Sequence, residues 1–236
     1  KSLVSFGAIV GVIALLIMLE PDLGTTMIIG TTSFIMYFIA KEGPDHAKLT
    51  FMSLLVLFIP LVIIAALLEP YRIGRVSTYL HLLTTGEISD PRGDGYQMQQ
   101  ILIGIGSGGF LGKGFGQSRQ RFGYLVENTA FTDSIFAVIL EELGFLGGTI
   151  LVVAWTIFLW RGFKIGLNAP DKQGKLLAIG ITVWLTLQAL LNMGANVGLI
   201  PLTGIPAPFL SYGGSSTIVT LAGIGILLNI SKHSKG

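Results

Sequence analysis

Apolar runs long enough to cross a bilayer recur along this chain, and no other feature constrains its fold so tightly. The first lies at about residues 2–19 and the second at about 24–40. A hydrocarbon core of about 30 Å needs roughly 20 residues at 1.5 Å rise each. Further runs at about 50–68, 134–160, 175–194 and 209–230 bring the total to six. Lipid offers no hydrogen-bond partner to backbone N–H or C=O groups, so each crossing must satisfy its own backbone as a helix. Charged residues are only 12% of the chain and hydrophobic ones 51%, against about 25% charged in soluble domains. The fold class expected is therefore an all-α integral membrane protein: one polytopic domain over residues 1–236 with six transmembrane helices and one long loop, 69–133. The net charge of +2, without a basic stripe, gives no sign of a nucleic-acid partner. With no cysteine, disulfide and thiol chemistry are excluded within the chain. The chain opens at Lys1, not Met, and reads as part of a longer protein.

Positive charge orients the spans. Lys1, Lys41, Lys48, Arg161, Lys164, Lys172, Lys175, Lys232 and Lys235 all fall on one side of a six-span arrangement, which the positive-inside rule makes cytoplasmic. The C-terminus is then cytoplasmic and loop 69–133 extracytoplasmic. Long loops translocate regardless of charge, but Arg72, Arg75, Arg92, Lys113, Arg119 and Arg121 in that loop call for a partner.

Within the loop, Ile73, Val76, Leu80 and Leu83 recur at helical spacing, with Arg72, Arg75 and Tyr79 elsewhere around the axis. The pattern predicts an interfacial amphipathic helix over 71–83. Asp90-Pro91 and Gly93-Asp94-Gly95 predict turns. A second short helix is expected over 96–105, carrying Gln97 and Gln100 on one face. Glycine then occupies seven of the thirteen positions 104–116. This is not a nucleotide P-loop, because Gly112-Lys113 is followed by glycine where Ser or Thr is required. The run is either a flexible connector or a backbone able to approach a phosphate closely, and Lys113, Arg119 and Arg121 beside it favour an anionic ligand.

Three carboxylates attract attention around the fourth span. Asp133 stands where a helix N-cap is expected. Glu141 lies about 80° around the helix from it and Glu142 on the opposite face, so Asp133 and Glu141 are expected to share one opening. The alternative for the two glutamates is a structural partnership with a buried arginine or with backbone. Earlier, in Glu20-Pro-Asp-Leu-Gly-Thr-Thr26, Pro21 breaks the helix and Asp22 can cap the next one. Near the end, Asn192 and Asn196 precede Pro201-Leu-Thr-Gly-Ile-Pro-Ala-Pro208 and Phe209-Leu-Ser-Tyr-Gly-Gly-Ser-Ser216. Three prolines in eight residues forbid a continuous helix, and irregular backbone at membrane depth must be buried in protein or line a wet cavity.

Glu20-Pro-Asp-Leu-Gly, Tyr96-Gln97, Gly106-Ser-Gly-Gly109, Gly116-Gln-Ser-Arg-Gln120, the run from Asp133 to Gly144, and the Pro-Leu-Thr-Gly and Pro-Phe-Leu-Ser-Tyr-Gly-Gly-Ser-Ser motifs follow one another in the order found in the SEDS family (shape, elongation, division and sporulation). The chain resembles that family along its whole length, and its wording is nearer the FtsW division branch than the RodA rod-shape branch. The resemblance implies the last six of ten transmembrane helices of a peptidoglycan glycosyltransferase in the bacterial cytoplasmic membrane. It implies lipid II as substrate, and a class B penicillin-binding transpeptidase and other division proteins as partners. It makes Asp133 the essential loop aspartate and Asp22 the acid of the Pro-Asp-Leu-Gly motif. Two departures stand out: Val126 occupies a usual proline position, and four residues separate Glu127 from Thr132.

Chemistry assigns the remaining roles. Glycosyl transfer from a lipid pyrophosphate needs a base at the acceptor hydroxyl and cations at the leaving diphosphate. Asp133 is the expected general base, with release of undecaprenyl pyrophosphate. Arg72, Arg75, Gln97, Lys113, Arg119, Arg121 and Ser211 are the expected substrate contacts, and Asp22, Glu141 and Glu142 the supporting acids. No organic cofactor is expected, while a divalent cation, Mg or Mn, could join the pyrophosphate. The other function class open to these residues is a flippase or transporter of lipid II, since intramembrane carboxylates and broken helices also serve transport.

Overall fold

The computed structural model describes residues 2–20, 22–40, 70–90, 95–119 and 130–234. Every regular element among them is a helix: α1 (Ser2–Leu19), α2 (Leu23–Ala40), α3 (Pro70–Thr85), α4 (Tyr96–Gly108), α5 (Ile135–Leu167), α6 (Lys172–Asn196) and α7 (Gly214–His233). By length and apolarity α2, α5, α6 and α7 can each cross a membrane, and α1 is 18 residues of almost wholly apolar sequence. The span expected at 50–68 lies outside the described residues. The chain divides into two compact units, one of residues 1–69, 159–185 and 222–236, the other of residues 70–158 and 186–221.

In the first unit, α1 and α2 pair through the turn at Glu20. Asp22 is the N-cap: its Oδ1 accepts the Thr25 N–H at 2.9 Å, and the Thr26 hydroxyl returns to the Asp22 carbonyl at 2.8 Å. The rings of Phe6 and Tyr37 stack with centroids 4.6 Å apart. The end of α5 meets the start of α6 so closely that a Cβ on Gly162 would sit 2.2 Å from the Thr182 hydroxyl oxygen. Small residues permit this kind of helix contact in membranes, where packing replaces the hydrophobic drive.

The second unit holds the irregular backbone. Helix α5 runs to Leu167, beyond the expected 134–160, and is broken at Gly144, whose φ of +66° only glycine adopts cheaply. Beyond the break, residues 145–167 make roughly 35 Å of helix, enough for a bilayer core of about 30 Å. The turns before it, carrying Glu141 and Glu142, are not needed to span that core. Helix α7 starts at Gly214, later than the expected 209, because Pro206, Pro208 and a positive φ at Phe209 keep the preceding backbone out of helix. The Phe209 ring stacks on Trp155 at 6.1 Å.

Helix α3 has inverted polarity. Ile73, Leu80 and Leu83 are exposed, whereas Thr78 is buried and Arg75 and Tyr79 reach protein partners. A helix with its apolar stripe outward and its polar stripe on the protein is suited to a lipid interface. Beneath the site, Ile101 of α4, Ala130, and Ala137 and Val138 of α5 form a buried cluster, with Ile105, Ile135 and Leu202 packed against it.

Candidate active site

Asp133 sits at the point where the second unit's helices and its proline-rich loop converge. The first turn of α5 is closed on the Ser134 carbonyl, which accepts from Ala137 N–H at 3.0 Å. The Asp133 carbonyl instead turns sideways and accepts two hydrogen bonds from α6, from Asn192 Nδ2 at 2.7 Å and Asn196 Nδ2 at 2.8 Å. The preceding carbonyls are held as well: Thr132 O accepts from the Ser211 hydroxyl, and Phe131 O from the Tyr212 N–H at 2.7 Å.

The half-buried Asp133 side chain is engaged more lightly. Its Oδ1 accepts from the Thr132 hydroxyl at 2.9 Å and its Oδ2 makes a long contact with Gln97 Nε2 at 3.5 Å. This corrects the helix-cap expectation, since these partners are side chains and not the free N–H groups of α5. Gln97 Oε1 is in turn 3.5 Å from Arg75 Nη2, and Arg75 Nη1 donates to the Leu202 carbonyl at 2.9 Å. Arg75, Gln97 and Asp133 thus form a row on three different elements. Further along α5, Phe136 and Leu140 line an apolar cavity of about 570 Å³ with Ile105, Met193 and Val197.

Glu141 belongs to a second cluster. Its partners are Lys113 Nζ at 2.8 Å, the Ser118 hydroxyl at 2.7 Å, the Arg119 N–H at 3.3 Å and the Ser107 hydroxyl at 3.4 Å. The carboxylate is 1% exposed. Glu142 accepts from the Ser118 N–H at 3.4 Å. None of these partners touches Asp133, so the expected common opening is replaced by two separate carboxylate environments. The reason is the break at Gly144, into which the glycine run docks. Lys113 and Gly114 donate N–H groups to the carbonyls of Glu141 and Glu142 at 3.0 and 2.9 Å, and Phe145 and Leu146 donate back to Gly109 and Phe110 at 2.9 and 3.1 Å. A Cβ on Gly112 would lie 2.1 Å from the Glu142 carbonyl oxygen, and one on Gly144 2.3 Å from the Gly112 nitrogen. The glycines therefore permit backbone to meet backbone, and Lys113 ion-pairs with Glu141.

The other expected site residues fall as follows. The Arg119 side chain is exposed. Ser211 donates to Thr132 O and accepts from Ala207 N–H at 2.7 Å. Asp22 caps α2 in the first unit. The Arg72 side chain and the whole of Arg121 lie outside the described residues. Among the described residues no group of three or more His, Cys, Asp or Glu side chains converges, so the expected divalent cation finds no cage of protein ligands there. The α6 carboxamides were not assigned to the site from sequence. Their signal was present: Gln188, Asn192 and Asn196 recur every fourth residue in an apolar span, and Gln188 Nε2 donates to Pro206 O at 2.9 Å.

Apolar helices long enough to span a bilayer, one of them broken at Gly144, define a polytopic helical membrane protein. More particularly, the chain belongs to the cell cycle protein family of FtsW, RodA and SpoVE, whose profile matches residues 1–236. It is 45% identical over 223 residues to stage V sporulation protein E of Bacillus subtilis, covering 94% of this chain and 57% of that protein. It is 40% identical over 227 residues to a probable peptidoglycan glycosyltransferase FtsW of Halothiobacillus neapolitanus, covering 95% and 52%. A solved chain from work on a peptidoglycan synthase complex that coordinates polymerization and crosslinking superposes with a TM-score of 0.69 at 29% identity, covering 96% of this chain and 59% of that one. The chain spans little more than half the length of these relatives. It is a multi-pass bacterial membrane protein.

Proposed function

We propose that this chain carries the catalytic half of a peptidoglycan glycosyltransferase that polymerises lipid II. The observation that supports it best is Asp133: a half-buried carboxylate whose position is fixed through its backbone carbonyl while its oxygens stay lightly engaged. In this reading Asp133 accepts the proton of the acceptor sugar's 4-hydroxyl as that oxygen attacks the donor's anomeric carbon, and the bond to the undecaprenyl pyrophosphate breaks. Positioned general bases contribute about 10²- to 10⁴-fold to a rate. Arg75, linked to the carboxylate through Gln97, is placed to assist the departing diphosphate. A divalent cation would enter with the pyrophosphate, as Mg²⁺ commonly does with one or two carboxylates and substrate phosphates. The loop bearing Asp133 faces away from the cytoplasm, where a class B penicillin-binding transpeptidase and other division proteins would meet it.

The test is polymerisation of labelled lipid II by the full-length purified protein and its Asp133→Asn variant. The carboxamide keeps the shape and removes the base, so glycan strands should fall at least 10²-fold while thermal stability holds. Normal strand yield from Asp133→Asn would remove the aspartate from the mechanism. Lipid II translocation without polymer from the unsubstituted protein would replace the enzyme by a flippase.

A further inference from the structure

We propose that Asn192 and Asn196 are positioning residues for the transfer, acting on Asp133 through its backbone carbonyl and not on substrate. The proposal rests on the reading of Asp133 as the base. Three consecutive carbonyls, of Phe131, Thr132 and Asp133, are all taken by groups from α6 or the loop that follows it. The last is gripped by two side chains. Both asparagines are 1% exposed, so their carboxamides are shut off from bulk water and from a sugar substrate.

The orientation of Asn196 is over-determined. Its Nδ2 donates to Asp133 O at 2.8 Å and to Asn192 O at 2.9 Å. Rotating the amide by half a turn would set its oxygen against two carbonyl oxygens, neither of which can donate. In consequence Asn196 Oδ1 is buried with no partner among the described residues. Asn192 is fixed in the same way, since its Nδ2 also donates to Ile205 O at 2.7 Å. One pair of side chains therefore fastens three things together: α6, the proline-rich loop at Ile205, and the residue that carries the carboxylate. A general base must lie within hydrogen-bond reach of the proton that it takes, and a displacement of about 1 Å can cost about 10²-fold in rate. Releasing the Asp133 carbonyl would free the segment just before α5 to move by that amount.

The experiment measures lipid II polymerisation by the full-length protein with Asn192→Ala, Asn196→Ala and the milder Ser211→Ala, which loosens the neighbouring Thr132 carbonyl from a half-buried position. Each is also combined with Asp133→Asn, and melting temperature is recorded for all. Expected is a fall in kcat of about 10- to 100-fold for each asparagine variant and a smaller one for Ser211→Ala. KM for lipid II should stay within twofold, and no further loss should appear on the Asp133→Asn background. Unchanged kcat in folded Asn192→Ala and Asn196→Ala proteins, with Asp133→Asn inactive, would overturn positioning and leave the base intact. A raised KM at constant kcat would show substrate binding instead and overturn it equally. If the asparagine variants do not fold, unchanged kcat in Ser211→Ala overturns it. Activity in Asp133→Asn itself would remove the reading on which the proposal rests.

Discussion

Replacing Lys113 by methionine separates two roles that the sequence leaves open. If Lys113 serves substrate phosphate, Lys113→Met should raise KM and leave stability untouched. The geometry predicts the opposite. Lys113 Nζ lies 2.8 Å from a Glu141 oxygen, and the two side chains are 30% and 1% exposed. Removing one partner of a buried ion pair costs about 3–5 kcal/mol, because a charge is left without compensation. The low end applies here: water reaches Lys113, and the Ser118 hydroxyl and the Arg119 N–H still donate to Glu141. A loss of about 3 kcal/mol corresponds to a fall of roughly 6–12 °C in melting temperature for a chain of this size. Glu141→Gln should cost less, about 1–2 kcal/mol, since the carboxamide keeps one acceptor and Lys113 can turn to water. Contacting residues are non-additive, so Lys113→Met with Glu141→Gln should melt higher than the sum of the two losses requires, by about 2 kcal/mol. Melting of the four proteins in detergent, followed by tryptophan fluorescence, measures the cycle. Additive losses, or an unchanged melting temperature in Lys113→Met, would refute the structural reading of the pair.

Two further outcomes test the loop and the interface. Gly86 and Gly112 share a left-handed backbone, with φ of +73° and +78°, but a Cβ on Gly86 meets nothing within 4 Å while one on Gly112 would strike the Glu142 carbonyl. Gly86→Ala should cost only the roughly 1–2 kcal/mol of that conformation, and Gly112→Ala clearly more; equal melting losses would contradict the close docking of the glycine run on α5. With no native cysteine in the chain, Leu80→Cys and Leu83→Cys can be labelled singly in vesicles. Both labels should be quenched by a lipid-soluble nitroxide in preference to a water-soluble one, and the reverse order would place the apolar face of α3 in water.

The helical membrane class and the four long apolar helices were legible because their signal is local: an apolar run of the right length has one structural solution in lipid. The amphipathic stripe at Ile73, Leu80 and Leu83 was legible for the same reason, and the helix appears as Pro70–Thr85. The glycine run could not be resolved from sequence because what it forms is a tertiary contact. Seven glycines describe a backbone that something approaches, but they do not say whether that is a phosphate or, as found, the carbonyls of Glu141 and Glu142. The pairing of Asp133 with Glu141 failed because helical phase assumes an unbroken environment along α5. Gly144 breaks the helix only three residues after Glu141, and the inserted loop takes that face. The carboxamides of α6 bond across 59 and 63 residues of sequence to Asp133, a separation that no local pattern encodes.

The two carboxylates differ in which part of the residue the fold holds, and that difference separates their functions. Glu141 is held by its side chain: Lys113 at 2.8 Å, the Ser118 hydroxyl at 2.7 Å and the Arg119 N–H at 3.3 Å occupy its oxygens. An acceptor engaged in this way stabilises its donors. Asp133 is held by its main chain, through two carboxamides on its carbonyl, while its carboxylate oxygens have one ordinary partner and one long one. Each carboxylate oxygen can accept about two hydrogen bonds, so roughly half of its capacity is unused. Rigid backbone with an under-committed carboxylate is what a general base requires, because its position must be fixed before substrate arrives while its lone pairs must not be. That contrast supports the proposal of Asp133, and not Glu141, as the base, although both are acids near the start of the same helix.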